Sequence, residues 1–477
     1  MTPPVFDTTT TISRLSNKLL PVFTGKLLPM MFLTVIMVMY SRKLTYHDYG
    51  QFQTVWVYSS IISVIISFGL SSIILSSSDN FFSVFLKRHK TPILRSYFLG
   101  ALLTFLIFYF TTSYFSVNTK LLLVAFILLQ SVCTLTDTLL IKNNQLAIYV
   151  WLNVVYSILF FAIHLYFFYN TFIINHWIFC ISCLYLLKAV CIYFVSGKTA
   201  AAENDSTPLS YSVHWIFLGI NDIAGILARW LDKIFLLYLL APADFAVFFN
   251  GAFEIPFFGI LISTMEQVML ANISSNISNR EAARHTFKES FKILSVIAFP
   301  LFFFLLIMHT EAFAVIFNNK YNASIPVFLV SIFIIPVRIT HYGVILQCYG
   351  QSNKILFGSI ADIILSLLLM FILYPLLGMA GVALAIVVST YLQAIYYLWQ
   401  SRRLLKVKWG ELVPGLFLLK LLIALALAYA VLYYVKDSFS NLVSLIGMFV
   451  ITAIIIVTGL ARYWKKEQRG FSPGKGR

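Results

Sequence analysis

The sequence predicts an all-α polytopic membrane protein, and three observations lead to this fold class. The mean hydropathy is +0.88, with 60% apolar and only 11% charged residues, which is far from the composition of soluble globular proteins. Apolar stretches long enough to cross a bilayer recur about fourteen times along the chain. Lys and Arg collect in every second gap between these stretches, and this alternation predicts the orientation of the chain in the membrane.

Apolar windows of about 20 residues define the individual helices. In the first half of the chain they predict helices at 19–40, 53–76, 94–113, 121–141, 147–169, 177–197 and 213–239. In the second half they predict helices at 247–271, 290–309, 323–346, 354–375, 378–400, 414–435 and 441–462. The first apolar run is too long for a cleavable signal, so it is predicted to remain as a spanning helix. An even number of spans places both termini on the same side of the membrane.

The distribution of basic residues predicts which side that is. With the N-terminus in the cytoplasm, 23 Lys and Arg lie in inner loops and tails, and 5 lie in outer loops. Such an excess is typical of the cytoplasmic side of a membrane protein, so both termini are predicted to be cytoplasmic. Because the net charge of +16 is spread over short loops next to the membrane, nucleic-acid binding is not expected.

A short internal repeat predicts two halves. Residues 44–52 follow the first helix and residues 240–248 follow the seventh, and the two segments align without gaps at an offset of 196, sharing Leu, Asp and Phe. Because six helices separate the copies, the repeats are parallel, and two such lobes are expected to meet at a central cavity. The predicted division is an N-terminal lobe at 1–200, a C-terminal lobe at 201–405, and two further helices with a basic tail at 406–477.

Six basic residues do not fall in loops but inside predicted spans. They are Lys26, Lys188, Arg229, Lys233, Arg338 and Lys420. Each costs about 2.5–3.5 kcal/mol at a helix centre on insertion scales, so such residues normally face a polar interior, a cavity or a partner. The external loops are short, so function is expected to be carried by the helix bundle and by charges of this kind.

Helix 7 has the highest density of intramembrane charge. Asp222, Arg229 and Lys233 lie within roughly 40° of one another on a helical projection, and Asp232 is within one turn of Arg229. Two interpretations stay open for this polar stripe. The charges form an internal ladder of ion pairs that fixes helix packing, or they line a cavity.

Charges on other predicted helices also leave alternatives open. Lys26 either extends to the cytoplasmic headgroups or requires an acid or an anionic substrate, whereas Arg338, beside Pro336, is too deep to reach the headgroups easily. In helix 8, Glu254 and Glu266 are expected either to pair with basic groups or to carry a coupling proton.

Three segments resemble a known transporter family. They are the segment YHDYGQF at 46–52, the region 232–248, and the run from 316 to 354 that leads to LLGMAGVALA at 376–385. The sequence is similar to the polysaccharide exporter and oligosaccharide flippase branch of the multidrug/oligosaccharidyl-lipid/polysaccharide (MOP) exporter superfamily. One departure is Ala246, which stands where the second repeat of that family often has glycine.

The resemblance implies two lobes that alternate a central cavity between the membrane faces and translocate an undecaprenyl-diphosphate-linked oligosaccharide across the bacterial cytoplasmic membrane. Cationic side chains in a low-dielectric cleft suit a diphosphate. The expected substrate-binding residues are therefore Lys26, Arg229, Lys233 and Arg338. The expected coupling or charge-partner residues are Asp222, Asp232, Glu254 and Glu266.

Two other functions are weighed against this one. A cation-coupled multidrug exporter of the same fold would favour an acidic cavity, and a membrane-embedded glycan polymerase or ligase would need a substantial external loop. The sequence contains no nucleotide-binding loop, metal-ligand cluster or nucleophile elbow, so neither catalysis nor a cofactor is predicted. The expected partners are the lipid-linked substrate, membrane lipids and polysaccharide polymerase or export machinery.

Overall fold

The computed structural model describes residues 8–76, 79–111, 115–143, 145–195, 210–252, 256–275, 279–317, 319–436 and 440–470. These residues form helices and no strands. The first nine helices are α1 (Thr8–Lys43), α2 (Tyr46–Ser67), α3 (Leu70–Ser76), α4 (Asp79–Thr111), α5 (Val117–Lys142), α6 (Leu146–Tyr169), α7 (Ile174–Val195), α8 (Ser210–Leu237) and α9 (Pro242–Gly251). The others are α10 (Pro256–Ser275), α11 (Arg280–Ile307), α12 (His309–Phe317), α13 (Ile325–Ile332), α14 (Val344–Cys348), α15 (Ser352–Leu405), α16 (Trp409–Leu412), α17 (Gly415–Lys436) and α18 (Asn441–Gly470).

Eight of the described helices are long and apolar enough to span a membrane. They include α5, α6, α11, α17 and the double-length α15. Many of their large apolar side chains are exposed rather than buried, among them Phe110, Phe371 and Leu416. Exposed apolar surface on this scale is stable only against lipid, so the predicted class of multi-pass helical membrane protein is confirmed.

The chain divides into two compact units, Met1–Ala246 and Val247–Arg477. In the first unit α1 packs on α6, α5 packs on α7, and α2 packs on both α5 and α8. In the second unit α11 packs on α10, α17 and α18, and α15 packs on α13 and α14. The predicted boundaries at residues 200 and 405 stay a prediction.

Aromatic packing forms the centre of the first unit. The ring of Phe52 lies 5.0 Å from that of Tyr40 and 5.1 Å from that of Trp177, measured between centroids. The Trp177 indole donates a hydrogen bond of 3.0 Å to Nε2 of His164, and Nδ1 of His164 is 2.7 Å from the Phe160 carbonyl oxygen. Because an indole only donates and a carbonyl only accepts, His164 is the neutral tautomer with its proton on Nδ1. This polar group is therefore satisfied inside the core.

The two copies of the internal repeat each begin a helix. α2 starts at Tyr46 and α9 starts at Pro242, which are equivalent positions at the offset of 196. Thr45 caps α2 by accepting a hydrogen bond of 3.1 Å from the Asp48 backbone N–H. Gly50 lies against the backbone of Pro242, where a Cβ would be 1.8 Å from the Pro242 carbonyl oxygen.

Several predicted helices are interrupted. Predicted helix 2 divides at Phe68 and Gly69, both of which have positive φ angles, and predicted helix 8 divides into α9 and α10. Predicted helix 10 divides into α13 and α14, with turns between them. Predicted helices 11 and 12 are two helices within the range of α15 that meet at a kink at Gly378 (φ 58°, ψ −141°). Gly378 tolerates this backbone conformation because it has no Cβ.

Candidate functional site

The polar face of α8 is the most highly charged membrane helix surface of the first unit. Asp222, Arg229, Asp232 and Lys233 lie on one continuous helix, as the sequence predicts. Asp232 and Lys233 are buried, whereas Arg229 is exposed. The structure therefore separates these charges into groups with different surroundings.

Asp232 and Lys233 neutralise each other. The Lys233 ammonium lies 2.9 Å from Oδ2 of Asp232, and it is also 5.7 Å from the centroid of the Trp230 ring. A buried pair of opposite charges avoids the cost of an isolated charge in an apolar environment. Lys233 thus has a carboxylate partner of its own, and this makes it the weaker candidate for binding an external anion.

Asp222 connects α8 to α3, the second part of the interrupted predicted helix 2. Oδ2 of Asp222 accepts a hydrogen bond of 2.7 Å from the Ser72 hydroxyl on α3. Two turns earlier on α8, the Trp215 indole donates a hydrogen bond of 2.6 Å to the carbonyl of Phe68, at the break between α2 and α3. The break is thus held by polar contacts from α8, which satisfy backbone groups that a continuous helix would satisfy internally.

Arg229 differs from these residues because it has no ion pair with any described side chain. An arginine is effectively always charged, so an unpaired guanidinium on a membrane helix requires an anion, water or headgroups. Lys26 on α1 is also exposed. It attracts Asp137 electrostatically, and no described carboxylate lies within ion-pair distance of its ammonium.

Asp137 belongs to a buried cluster that the sequence analysis did not assemble. The Lys188 ammonium on α7 lies 2.6 Å from Oδ2 of Asp137 on α5 and 3.1 Å from Oδ1 of Asn153 on α6. It also lies 4.8 Å from the ring centroid of Tyr156. The signal available in the sequence was an acid, a base and an amide at membrane depth on three successive helices.

In the second unit, the interruption between α13 and α14 exposes backbone groups at membrane depth. It covers 333–343 and includes Pro336, Arg338 and His341. Pro336 has no N–H to donate, and the phenol of Tyr342 donates a hydrogen bond of 2.7 Å to the carbonyl of Val337. Irregular backbone within a membrane protein is typical of segments that line a binding cavity. The sequence analysis missed this interruption although Pro336, a helix-breaking residue, lies inside it.

Acidic groups from two helices, α10 and α15, face this interruption. Oε1 of Glu266 on α10 lies 3.2 Å from Nε2 of His341. Nδ1 of His341 is buried and has no hydrogen-bond partner among the described residues. Arg338 attracts the carboxylate of Asp362 on α15, and the Asp362 oxygen Oδ1 is buried without a described hydrogen-bond partner. Glu254, the remaining predicted residue, lies outside the described residues.

The predicted site residues therefore form separate groups. In the first unit, Asp232 pairs with Lys233, and Arg229 stands apart from both. In the second, Glu266 and Arg338 border the same interruption. Among the described residues, no three His, Cys, Asp or Glu side chains come together as metal ligands.

The comparisons with known proteins identify the fold. No family model matches the sequence, and no curated protein does. Solved structures do match. The lipid II flippase MurJ in an inward closed conformation superposes with a TM-score of 0.66 at 13% identity, over 94% of this chain and 99% of that one.

The other structural neighbours are also transporters. A MOP superfamily transporter from Pyrococcus furiosus superposes with a TM-score of 0.57 at 15% identity, over 81% of this chain and 94% of that one. An outward-facing multidrug resistance transporter of the MATE family superposes with a TM-score of 0.57 at 14% identity and the same coverage. This chain has the fold of the MOP superfamily transporters. At these identities the likeness concerns the MOP fold alone.

Proposed function

We propose that this protein is a flippase that translocates an undecaprenyl-diphosphate-linked oligosaccharide across the bacterial cytoplasmic membrane by alternating access, for the export of a surface polysaccharide. The protein acts as a transporter and not as an enzyme in this proposal. Both termini lie in the cytoplasm, in agreement with the distribution of Lys and Arg along the sequence.

The extent of the structural match supports a lipid-linked substrate. The match to the lipid II flippase takes in 94% of this chain, and the matches to the Pyrococcus and MATE transporters take in 81%. The difference between the two coverages, 13% of this chain, is comparable with the combined length of α17 and α18. The resemblance to a lipid-linked flippase thus covers the chain more fully than the resemblance to the drug exporters.

Unpaired cationic groups are the observation that carries the choice of substrate. A diphosphate brings concentrated negative charge to membrane depth, and a guanidinium binds phosphate oxygens with two parallel hydrogen bonds. Arg229 is exposed and has no described carboxylate partner, so its charge is available to such an anion. The charge of Lys26 is also available to an anion, because Lys26 is exposed and has no described carboxylate within ion-pair distance. Arg338 and Lys233 complete the proposed substrate-binding set.

The alternative is a cation-coupled multidrug exporter of the same fold. Asp222 and Asp362, which have no described lysine or arginine within ion-pair distance, are the observation that favours it. A cationic drug would require such carboxylates, whereas an anionic lipid would be repelled by them. Reversing the charge of a cation such as Arg229 is expected to abolish transport by a flippase, whereas reversing the charge of Asp222 or Asp362 is expected to abolish transport by a drug exporter.

Arg229→Glu is the decisive variant. In a strain that depends on this protein for its surface glycan, Arg229→Glu is expected to abolish surface glycan while the lipid-linked precursor accumulates, because repulsion replaces attraction for the diphosphate. Arg229→Lys keeps the charge and is expected to retain most export. Normal surface glycan in Arg229→Glu cells, with the protein present at normal levels, would rule out this site. If Arg229→Glu cells lose drug resistance but keep normal surface glycan, the protein is a drug exporter.

We also propose that Glu266 and His341 form the site of cation coupling. Their 3.2 Å contact pairs a carboxyl group with an imidazole, the side chains that form proton relays in transporters, next to a break in the membrane helix. Glu266→Gln is expected to make glycan export independent of the proton gradient, measured with and without a protonophore. A Glu266→Gln protein that still responds fully to the protonophore would place coupling elsewhere.

A further inference from the structure

A cavity of about 590 Å³ in the second unit is lined by none of the candidate site residues described above. It is formed where α11 meets α16 and the beginning of α17. Its lining includes Lys288 and Lys292, the indole of Trp409, and the apolar side chains of Leu416 and Phe417. The lining contains no Asp or Glu. A mostly apolar wall that carries two lysines is the pattern expected of a site for an amphipathic anion.

The two lysines lie one helical turn apart on α11. Lys288 donates a hydrogen bond of 2.9 Å from Nζ to the carbonyl oxygen of Gly410, which is a neutral acceptor. Lys292 lies 2.6 Å from Oε1 of Glu289. Lys288 has no carboxylate partner among the described residues, so its full charge is available to a bound anion.

The nearby acidic side chains belong to a second cavity of about 390 Å³ that shares the two lysines. There Arg284 lies 3.1 Å from Glu281 and 3.5 Å from Glu411. Glu289 is occupied by Lys292. The Arg284 guanidinium is thus shared by two carboxylates, and Lys288 is the cation of this group that has no described carboxylate within ion-pair distance.

The position of Trp409 indicates that the cavity lies at the level of the lipid headgroups. Its ring is partly exposed and stacks against the Arg402 guanidinium at 5.2 Å from the ring centroid. Tryptophan and arginine are enriched at this level of a bilayer. Leu416, the second residue of α17, is 70% exposed and extends the apolar wall towards the acyl chains.

We propose that this cavity binds an anionic phospholipid of the surrounding bilayer, with its phosphate between Lys288 and Lys292 and its acyl chains along the first turns of α17. A phospholipid uses both the ammonium groups of the lysines and the apolar wall beside them. The bound lipid would hold α11, α16 and α17 together at the inner end of the bundle. This proposal does not depend on which substrate the protein transports.

The test measures lipid binding to the purified full-length protein. Native mass spectrometry with phosphatidylglycerol and phosphatidylcholine is expected to show preferential retention of phosphatidylglycerol. The double variant Lys288→Gln/Lys292→Gln is expected to weaken that retention by about tenfold or more. The matched control Lys142→Gln/Lys354→Gln removes two basic residues, one at the end of α5 and one at the start of α15, and is expected to change that retention little. Lys288→Arg/Lys292→Arg keeps both charges and is expected to retain the lipid.

Several outcomes would overturn the proposal. One is equal retention of the two lipids by the unaltered protein, and another is equal loss in the double variant and the control. Displacement of phosphatidylglycerol by millimolar inorganic phosphate would identify a simple anion site with no use for the acyl chains. Loss of lipid-linked diphosphate binding with unchanged phosphatidylglycerol retention would assign the cavity to the substrate. An unchanged melting temperature of the double variant in phosphatidylcholine shows that it is folded.

Discussion

Cationic side chains on the helices of this protein have two different environments. Lys188 is enclosed by a carboxylate, an amide oxygen and an aromatic ring, so each part of its charge has a partner. Arg229 has no such partner among the described residues. A cation that is satisfied internally stabilises the fold, whereas a cation left unsatisfied is available for a ligand. This difference separates residues that hold the helices together from residues that are candidates for binding.

Removing one member of the Lys188 pair tests its structural role. Lys188→Met leaves the buried Asp137 carboxylate without its cation, and we expect the free energy of unfolding to fall by about 3–5 kcal/mol. The double variant Lys188→Met/Asp137→Leu removes both charges and should regain most of that loss. Unfolding of the protein in detergent micelles measures both effects. Equal stability of Lys188→Met and the unaltered protein would show that the pair contributes nothing.

At the scale of the helical elements, the close contact of the repeat segments sets a steric constraint. Gly50→Ala places a Cβ 1.8 Å from the carbonyl oxygen of Pro242, so the backbone must move. We expect a loss of about 1–3 kcal/mol in unfolding free energy, the usual cost of overpacking. The matched control Gly447→Ala adds a methyl group on α18 where nothing lies within 4 Å, and it should be neutral or stabilising. Equal melting temperatures for the two variants would contradict the contact.

An ion pair outside the spans joins α12 to the end of α17. Oε1 of Glu311 lies 3.3 Å from the Lys436 ammonium, and Oε2 accepts a hydrogen bond of 2.7 Å from the Thr310 hydroxyl. Burial raises the pKa of Glu311, but the hydrogen bonds from Thr310 and its own backbone N–H and the charge of Lys436 outweigh it. The pKa is thus lower than the ordinary value of 4.5. A lowered pKa means that the ionised carboxylate stabilises the folded state.

The pH dependence of stability follows from that direction. The contribution of Glu311 is fully present above pH 4.5 and is lost as the pH falls through its lower pKa in the folded protein. Glu311→Gln should therefore lower the unfolding free energy at pH 7 by about 0.2–1 kcal/mol, the range of partly exposed ion pairs. The difference should disappear in melting curves recorded at progressively lower pH. A difference between the two proteins that grows as the pH falls would reverse the assignment.

At the scale of the whole molecule, the predicted orientation is open to a direct test. The even number of predicted spans and the excess of inner Lys and Arg place the C-terminus in the cytoplasm and the turn at Asn170 outside. A green fluorescent protein fused after Arg477 should fluoresce, and alkaline phosphatase fused after Asn170 should be active. The reciprocal fusions should both be inactive. Activity of both reciprocal fusions would show that the predicted topology is inverted.

The fold class was readable in the sequence because lipid imposes a simple rule. Each backbone polar group in the hydrocarbon must be satisfied within its own segment, so long apolar runs are helices wherever they occur. The repeat at 44–52 and 240–248 was readable for a similar reason, since each copy begins a helix at an equivalent position. Both are local properties of the chain.

The extent of each helix interruption and the partner of each charge could not be predicted from the neighbouring sequence. Pro336 in the run at 323–346 is a local sign of a break, but the extent of the break, from 333 to 343, depends also on groups from other elements, such as the contact of Glu266 with His341. Likewise, the sequence placed Lys188 inside the membrane, but only the packing of α5, α6 and α7 supplied its partner, Asp137. The sequence by itself determined which segments enter the lipid, since that depends on apolar length. Only the tertiary structure decided which charges are satisfied there, since an ion pair depends on the distance between residues far apart in the chain.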